Sequence, residues 1–514
     1  MRSKALVALL GAASLLIVAC SGGGDDVVAV PQPTAGGAIT DGTGGAATTI
    51  APPPSTPVVE VAPIAWEPYA EGVEVGALDV PIDYADPSAG TFELFVARHL
   101  ADPDQRIGSL LVNPGGPGFG GSDFAIFATS IYQPELLDRF DIVGWDPRGT
   151  GLSEPAIDCV EDLDPVYGAV DITPDTPEER QQLIDVAQGF TTSCVERNAA
   201  ILQHVGTNDT ARDIDAIRRA LGEETISYFG SSYGSELGGV WATLYPDTVR
   251  AAVLDGAVDP AAGFGERLLS QLSGFESTLA SFLAGCSADP SCAFSNGGNA
   301  EAAFDALMQQ LDDAPLPSAG GRPAVNRAVA VYGVGQAMYS ESLWPALERS
   351  LADAQNGDGA GLLGLYDAYF QRTPEGTYGN ELEAFTVINC MDSAERLTVA
   401  EEDALAVEVR AAAPRMSPGD AGSYSCSFYP PSEEPRAAIT GAGAGPILVI
   451  GTTGDAATPL AGTRVMADTL DDGRLVVVVA DRHTGYGANE CINQVVARYL
   501  IDLEVPPEGT ECRP

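Results

Sequence analysis

The sequence predicts an α/β protein: a mostly parallel sheet with helices on both faces, interrupted by an inserted helical cap. Three observations carry that expectation. Short apolar runs at 109–112, 140–143, 226–229, 251–254, 447–450 and 475–479 are each bounded by Gly, Pro or Asp, as strands buried on both faces are. Helical patterns lie between them, the alternation that builds a sheet covered on both sides. Residues 261–435 break the alternation: they are rich in Ala, Leu and Gly at helical spacing and hold no convincing buried strand.

In chain order the first element is an export signal over 1–20. Arg2 and Lys4 precede an apolar stretch, 5–19, that is short of the ~20 residues a spanning helix needs. It ends Leu16-Ile17-Val18-Ala19-Cys20 and is followed by Ser21-Gly22-Gly23-Gly24, which resembles a bacterial lipobox. That resemblance implies cleavage before Cys20 and lipid on it, a multi-chain anchor that holds stably to a membrane. Residues 21–64 are rich in Gly, Ala, Thr and Pro with no aromatic side chain, so they cannot offset their ordering entropy and read as a disordered tether. The core is expected over 65–260 and 436–514, with the cap over 261–435 between its two parts. The run 91–98 (TFELFVAR) alternates as a strand, and 209–221 reads as a helix with capping oxygens at Thr207-Asn208-Asp209 and Gly222 as its stop.

Of the 514 residues, 72 are Asp or Glu and 26 Lys or Arg, a net charge of −46. A surface this acidic repels phosphate backbones and excludes nucleic acid as a main partner. Three histidines, His99, His204 and His483, make a His-rich metal site improbable. Nine cysteines less Cys20 leave an even set: Cys159, Cys194, Cys286, Cys292, Cys390, Cys426, Cys491 and Cys512. In an exported chain this favours four disulfides, although eight cysteines allow about a hundred pairings. No CxxC is present, so zinc ribbons and thioredoxin-type chemistry are not expected.

Ser232 is the candidate nucleophile. It lies in Gly230-Ser231-Ser232-Tyr233-Gly234, a G-x-S-x-G with a strand before it and a helical stretch after it. A sharp strand-to-helix turn strains the serine, raises its hydroxyl above the sheet and aims helix N-terminal N–H groups at a developing oxyanion. His483 is the one histidine beyond it, in a loop just after the strand 475–479, and is the candidate base. Asp455, in GTTGDAATP just after 447–450, is the candidate acid on grounds of position, with Thr458 in reach of the pair. The loop 113–121 (NPGGPGFGG) should supply an oxyanion donor: Gly116 together with Tyr233, Gly115 being the near alternative. No GK[ST] follows that loop, so it is not a phosphate cradle.

These residues resemble the α/β-hydrolase serine peptidases of the prolyl and tripeptidyl aminopeptidase family, including exported actinobacterial members. The likeness covers roughly 66–514 and rests on NPGGPG at 113–118, WDPRGTGLS at 145–153, DTARDIDAIRRALG at 209–222, GSSYG at 230–234, LDGAVDP at 254–260, GDAATP at 454–459, and HTGYG with the C-terminal stretch that ends in Cys512. It implies an α/β-hydrolase fold, Ser232, Asp455 and His483 as nucleophile, acid and base, no cofactor, and a C-terminal module of the tripeptidyl type. By likeness the disulfides are Cys159–Cys194, Cys286–Cys292, Cys390–Cys426 and Cys491–Cys512. The implied substrate is a peptide with a free N-terminus, whose ammonium Asp392 or Glu236 would meet if they are more than solvated acidic surface. The chain departs from the family at Asn113, where the prolyl branch has His, and after Trp66, where many exported relatives have a Cys pair. An esterase on the same scaffold and a non-catalytic binding lipoprotein are the competing readings; the intact serine, acid and base set disfavours the second.

Overall fold

The computed structural model describes residues 60–514. The expected export signal, Cys20 and the tether up to residue 59 lie outside the described residues. Among the described residues ten strands form one sheet: β1 (Glu67–Ala70), β2 (Val73–Pro81), β3 (Thr91–His99), β4 (Gly108–Asn113), β5 (Phe140–Trp145), β6 (Ile226–Ser231), β7 (Val249–Asp255), β8 (Ile447–Thr452), β9 (Gly473–Val478) and β10 (Glu511–Cys512). Their order across the sheet is β1-β2-β3-β5-β4-β6-β7-β8-β9-β10. The first four in that order are antiparallel neighbours, and from β5 onward every pairing is parallel.

Alternation along each central strand builds two cores. Leu110, Val112, Ile142, Phe229, Val253, Leu448 and Ile450 face helices Pro134–Arg139 and Glu490–Asp502, while Leu111, Val143, Tyr228, Ala252, Leu254 and Val449 face helices Thr207–Ala220 and Tyr233–Leu244. All of these side chains are buried, which is why the strands read as unbroken apolar runs. The order β5-β4-β6 places a switch point at β4. The chain leaves β4 toward one face and leaves β6 toward the other, which opens a crevice at the carboxyl ends of these strands.

A buried ion pair ties two of the recognised motifs together. Arg148, just after β5, donates to both oxygens of Asp213 on helix Thr207–Ala220, at 2.7 and 2.6 Å, and neither side chain reaches solvent. The Tyr84 hydroxyl donates to the same carboxylate, and the carbonyls of Ile82 and His204 accept from the guanidinium. The charges are paired and hydrogen-bonded from several sides, the condition under which a buried charge is tolerated.

Helices Phe264–Ala288, Ala300–Asp313, Arg327–Met338, Trp344–Gln355, Ala360–Tyr369, Glu381–Met391 and Val399–Ala412 make up the cap between β7 and β8. Within 261–435 the described residues form no strand beyond isolated bridges. Asn380 anchors the cap to the core: its side chain donates to the carbonyls of Gly149 and Ile157 and accepts from Gly151 N–H. Among the described residues four disulfides join Cys159–Cys194, Cys286–Cys292, Cys390–Cys426 and Cys491–Cys512. Among the described residues no helix is long and apolar enough to cross a membrane.

Two differences from expectation concern the N-terminal part. Ile64, assigned by composition to the tether, is buried and packs where a side chain on Gly76 of β2 would lie, so the folded part begins a few residues earlier. Strands β1 and β2 precede the first expected strand; the alternation in 73–80 (VEVGALDV) is the signal for β2.

Candidate active site

Ser232 sits between β6 and helix Tyr233–Leu244 with φ 54° and ψ −125°, a backbone conformation costly for any residue with a side chain. The turn is forced by close packing. A Cβ on Gly230 would stand 2.1 Å from the carbonyl oxygen of Gly234, so only glycine fits there. The Tyr228 hydroxyl donates to that same oxygen at 2.7 Å, and Ser235 Oγ donates to the Ser232 carbonyl at 2.5 Å. Ser232 N–H donates to the carbonyl of Asp255 at the end of β7, at 2.8 Å.

Asp455 and His483 meet beyond the ends of β8 and β9. His483 Nδ1 lies 2.9 and 3.0 Å from the two Asp455 oxygens and 3.2 Å from Thr458 Oγ1. Asp455 also accepts from the backbone N–H of Ala457, Thr458 and Thr484. Burial opposes its ionisation, but the His483 imidazole and these N–H groups outweigh burial and hold the carboxyl below its ordinary range. His483 is the mirror case: burial opposes the imidazolium, yet Asp455, aided by Asp255, holds its pKa above the ordinary value. With Nδ1 engaged by the carboxylate, Nε2 is the ring nitrogen left to handle a proton.

The two halves converge on the turn after β7. Asp255 holds Ser232 through its carbonyl, and a Cβ on the next residue, Gly256, would lie 3.3 Å from His483 Cε1 and 3.0 Å from Thr458 Oγ1. The loop after β4 closes the third side. A Cβ on Gly115 would stand 2.8 Å from Ser232 Cβ and 3.0 Å from Tyr233 N, so this loop lies directly on the serine turn. Asn113, where the prolyl branch has His, braces the loop from within, because its Oδ1 accepts the Gly115 N–H at 3.0 Å. That bond commits Gly115, the alternative oxyanion donor, to the loop itself.

The two carboxylates considered for the substrate ammonium are otherwise engaged. Glu236 is buried between Arg267, at 2.6 and 3.0 Å, and Arg436, at 2.8 Å, and these guanidiniums overcome burial to keep its pKa low. Asp392 accepts from Thr207 N–H and Oγ1, at 2.7 and 2.5 Å; burial pushes its pKa up to about 6 despite those bonds. His99 ends β3, and His204 lies in a short 3-10 turn before helix Thr207–Ala220, where its Nδ1 is 3.9 Å from Asp209; the structure brings neither to the Asp455–His483 pair.

Two residues around His483 were not singled out from the sequence. Asp255 was visible only as part of the LDGAVDP motif. Tyr339, from the cap, accepts the His483 N–H through its carbonyl at 3.1 Å and sets its ring edge-on to the imidazole at 5.6 Å. No spacing in the sequence signals that contact, because it joins residues more than a hundred positions apart.

The family described as α/β-hydrolase fold matches residues 108–488. The chain is similar to serine protease Hip1 of Mycobacterium tuberculosis strain H37Rv, 34% identical over 481 residues that cover 88% of this chain and 91% of the relative. Carboxylesterase B of the same strain is 34% identical over 448 residues, covering 85% and 86%. Tripeptidyl aminopeptidase of Streptomyces lividans is 29% identical over 471 residues, covering 88% and 87%.

Proposed function

The chain belongs to the α/β-hydrolase-fold family, and from that premise we propose that it is an exported serine peptidase releasing short peptides from free N-termini. One observation carries the reading. The strained Ser232 turn and the Asp455–His483 pair converge on the same two residues, 255 and 256, beside a glycine loop that leans on the serine. The relatives named serine protease and tripeptidyl aminopeptidase support peptide as the substrate class.

The mechanism follows the geometry. His483 Nε2 takes the proton of Ser232 Oγ as the oxygen attacks the peptide carbonyl carbon. Asp455 holds the ring in the needed tautomer and stabilises the imidazolium. The N–H groups of Tyr233 and Gly116 receive the oxyanion, each contributing on the order of 3 kcal/mol to the transition state. His483 then protonates the leaving amine, and water activated by the same ring hydrolyses the acyl-enzyme. Cap residues packed against His483 and the loop after β4 would favour thin chain ends over folded polypeptide. The four disulfides support an extracytoplasmic location, and the lipobox-like Cys20 supports a lipid anchor at the membrane.

A mass readout of pieces released from a peptide ladder tests the reading. Stepwise loss of short N-terminal peptides is the expected outcome, and cleavage at internal bonds alone would overturn it. Esterase action is the second reading, favoured by the likeness to carboxylesterase B. Turnover of short-chain esters with none of tripeptidyl amides would select it. Lipid on Cys20 is checked by the mass of the mature N-terminus and by loss of membrane association in Cys20→Ala.

A further inference from the structure

Asp255 ends β7 and has no contact with solvent. Two backbone amides hold its carboxylate. One oxygen accepts the N–H of Gly485 at 2.7 Å and the other that of Tyr486 at 2.8 Å. Both donors lie two and three residues beyond His483, in the loop that presents the imidazole. The backbone carbonyl of the same residue accepts the Ser232 N–H at 2.8 Å. Asp255 therefore bonds to the segment bearing the hydroxyl and to the segment bearing the ring, and it does so from the rigid centre of the sheet.

We propose that Asp255 is a positioning residue of this site, setting the approach of His483 to Ser232 by holding both segments from one strand end and supplying a second negative charge behind the imidazole. The proposal rests on the roles read above for Ser232 and His483. An amide would not serve in its place. Two N–H donors point at the two oxygens, so asparagine would set its own NH2 against one of them at a buried position. The charge matters as well as the shape. The groups facing His483 are Asp455 and Thr458 from the segment after β8, Asp255 from β7, Arg482 on its own loop and the Tyr339 ring from the cap. Of these, Asp455 and Asp255 are the charges that favour the imidazolium, which forms as the serine attacks. Burial raises the Asp255 pKa to about 6 against the pull of its two N–H bonds, so the carboxylate is ionised in the neutral range where the ring must accept a proton.

The test is Asp255→Asn in the full chain, with active sites counted by an irreversible phosphonate. Per titrated site, kcat should fall by about 10²-fold, the scale of an ~1 Å misplacement of reacting groups. KM should change little, and the acid limb of kcat/KM should move to lower pH because a negative charge near His483 is lost. Asp255→Glu, which keeps the charge, should return the limb toward its original position. A titrated Asp255→Asn enzyme with kcat within about twofold of the parent and an unmoved limb would overturn the proposal. If neither variant folds, hydrogen exchange on the parent protein decides: the amides of Gly485 and Tyr486 should be as protected as those of β7, and exchange at open-loop rates would refute it. A parent protein inert to phosphonate and substrate would instead sink the functional reading.

Discussion

The turn that carries Ser232 and the loop that carries His483 are held in opposite ways. The serine turn is built mainly by its own neighbours: Gly230 against Gly234, the Tyr228 hydroxyl on the Gly234 carbonyl, Ser235 on the Ser232 carbonyl. The histidine loop is held from elsewhere in the chain, by Asp455 and Thr458 after β8, by Asp255 at the end of β7 and by Tyr339 from the cap. A strained turn needs local packing because its cost is local. A ring proposed to pass a proton between two partners needs its orientation fixed from several sides.

Substitutions can break each half separately. Ser232→Ala should cost the most, about 10⁶ in kcat, with the folded structure intact by circular dichroism; retained turnover would exclude Ser232 as nucleophile. Asp455→Asn should lower kcat by about 10⁴ with a smaller effect on KM, because the ring settles in the wrong tautomer. Steady-state kinetics at saturating substrate checks this, and a pure KM effect would contradict it. Gly230→Ala should destabilise the fold by about 3 kcal/mol through overpacking at the turn. Gly487→Ala, at a position whose φ is positive at 81° but where a Cβ meets nothing nearby, should cost about 1 kcal/mol. Equal denaturation midpoints for the two variants would show that the serine turn is not locally braced.

The smallest expected effect concerns pH. A base with a raised pKa stays protonated, and idle, to higher pH. The acid limb of kcat/KM should therefore lie above the ~6.5 of an unperturbed imidazole. Asp455 is held low, so it stays ionised throughout that rise and adds no limb of its own near neutrality. A profile flat from about pH 5 to 8 would remove His483 as the base.

Cap and core divide in the same way as the two halves of the site. The cap touches His483 directly through Tyr339 and is tied to the core by Asn380 and by Asp392 on Thr207. The cap thus takes part in holding the histidine loop. In the sequence Asp392 and Glu236 stand only as possible ammonium ligands, because composition cannot tell a carboxylate that awaits a ligand from one already paired. Their partners, Thr207, Arg267 and Arg436, come from distant parts of the chain.

By itself the sequence determined what depends on local backbone chemistry and periodicity. The apolar runs specified the central strands, the glycines around Ser232 specified a turn with no room for side chains, and the helical spacing within 261–435 specified helices there. Only the tertiary structure decided which buried carboxylate serves which partner. Asp255, Asp392, Glu236 and Asp455 are alike in composition and each is buried or nearly so, yet one holds backbone N–H groups, one a threonine, one two arginines and one an imidazole. The physical reason is range. Dihedral preference and side-chain alternation act over a few residues, whereas the energy of a charge is set by whatever the fold brings within ~4 Å of it.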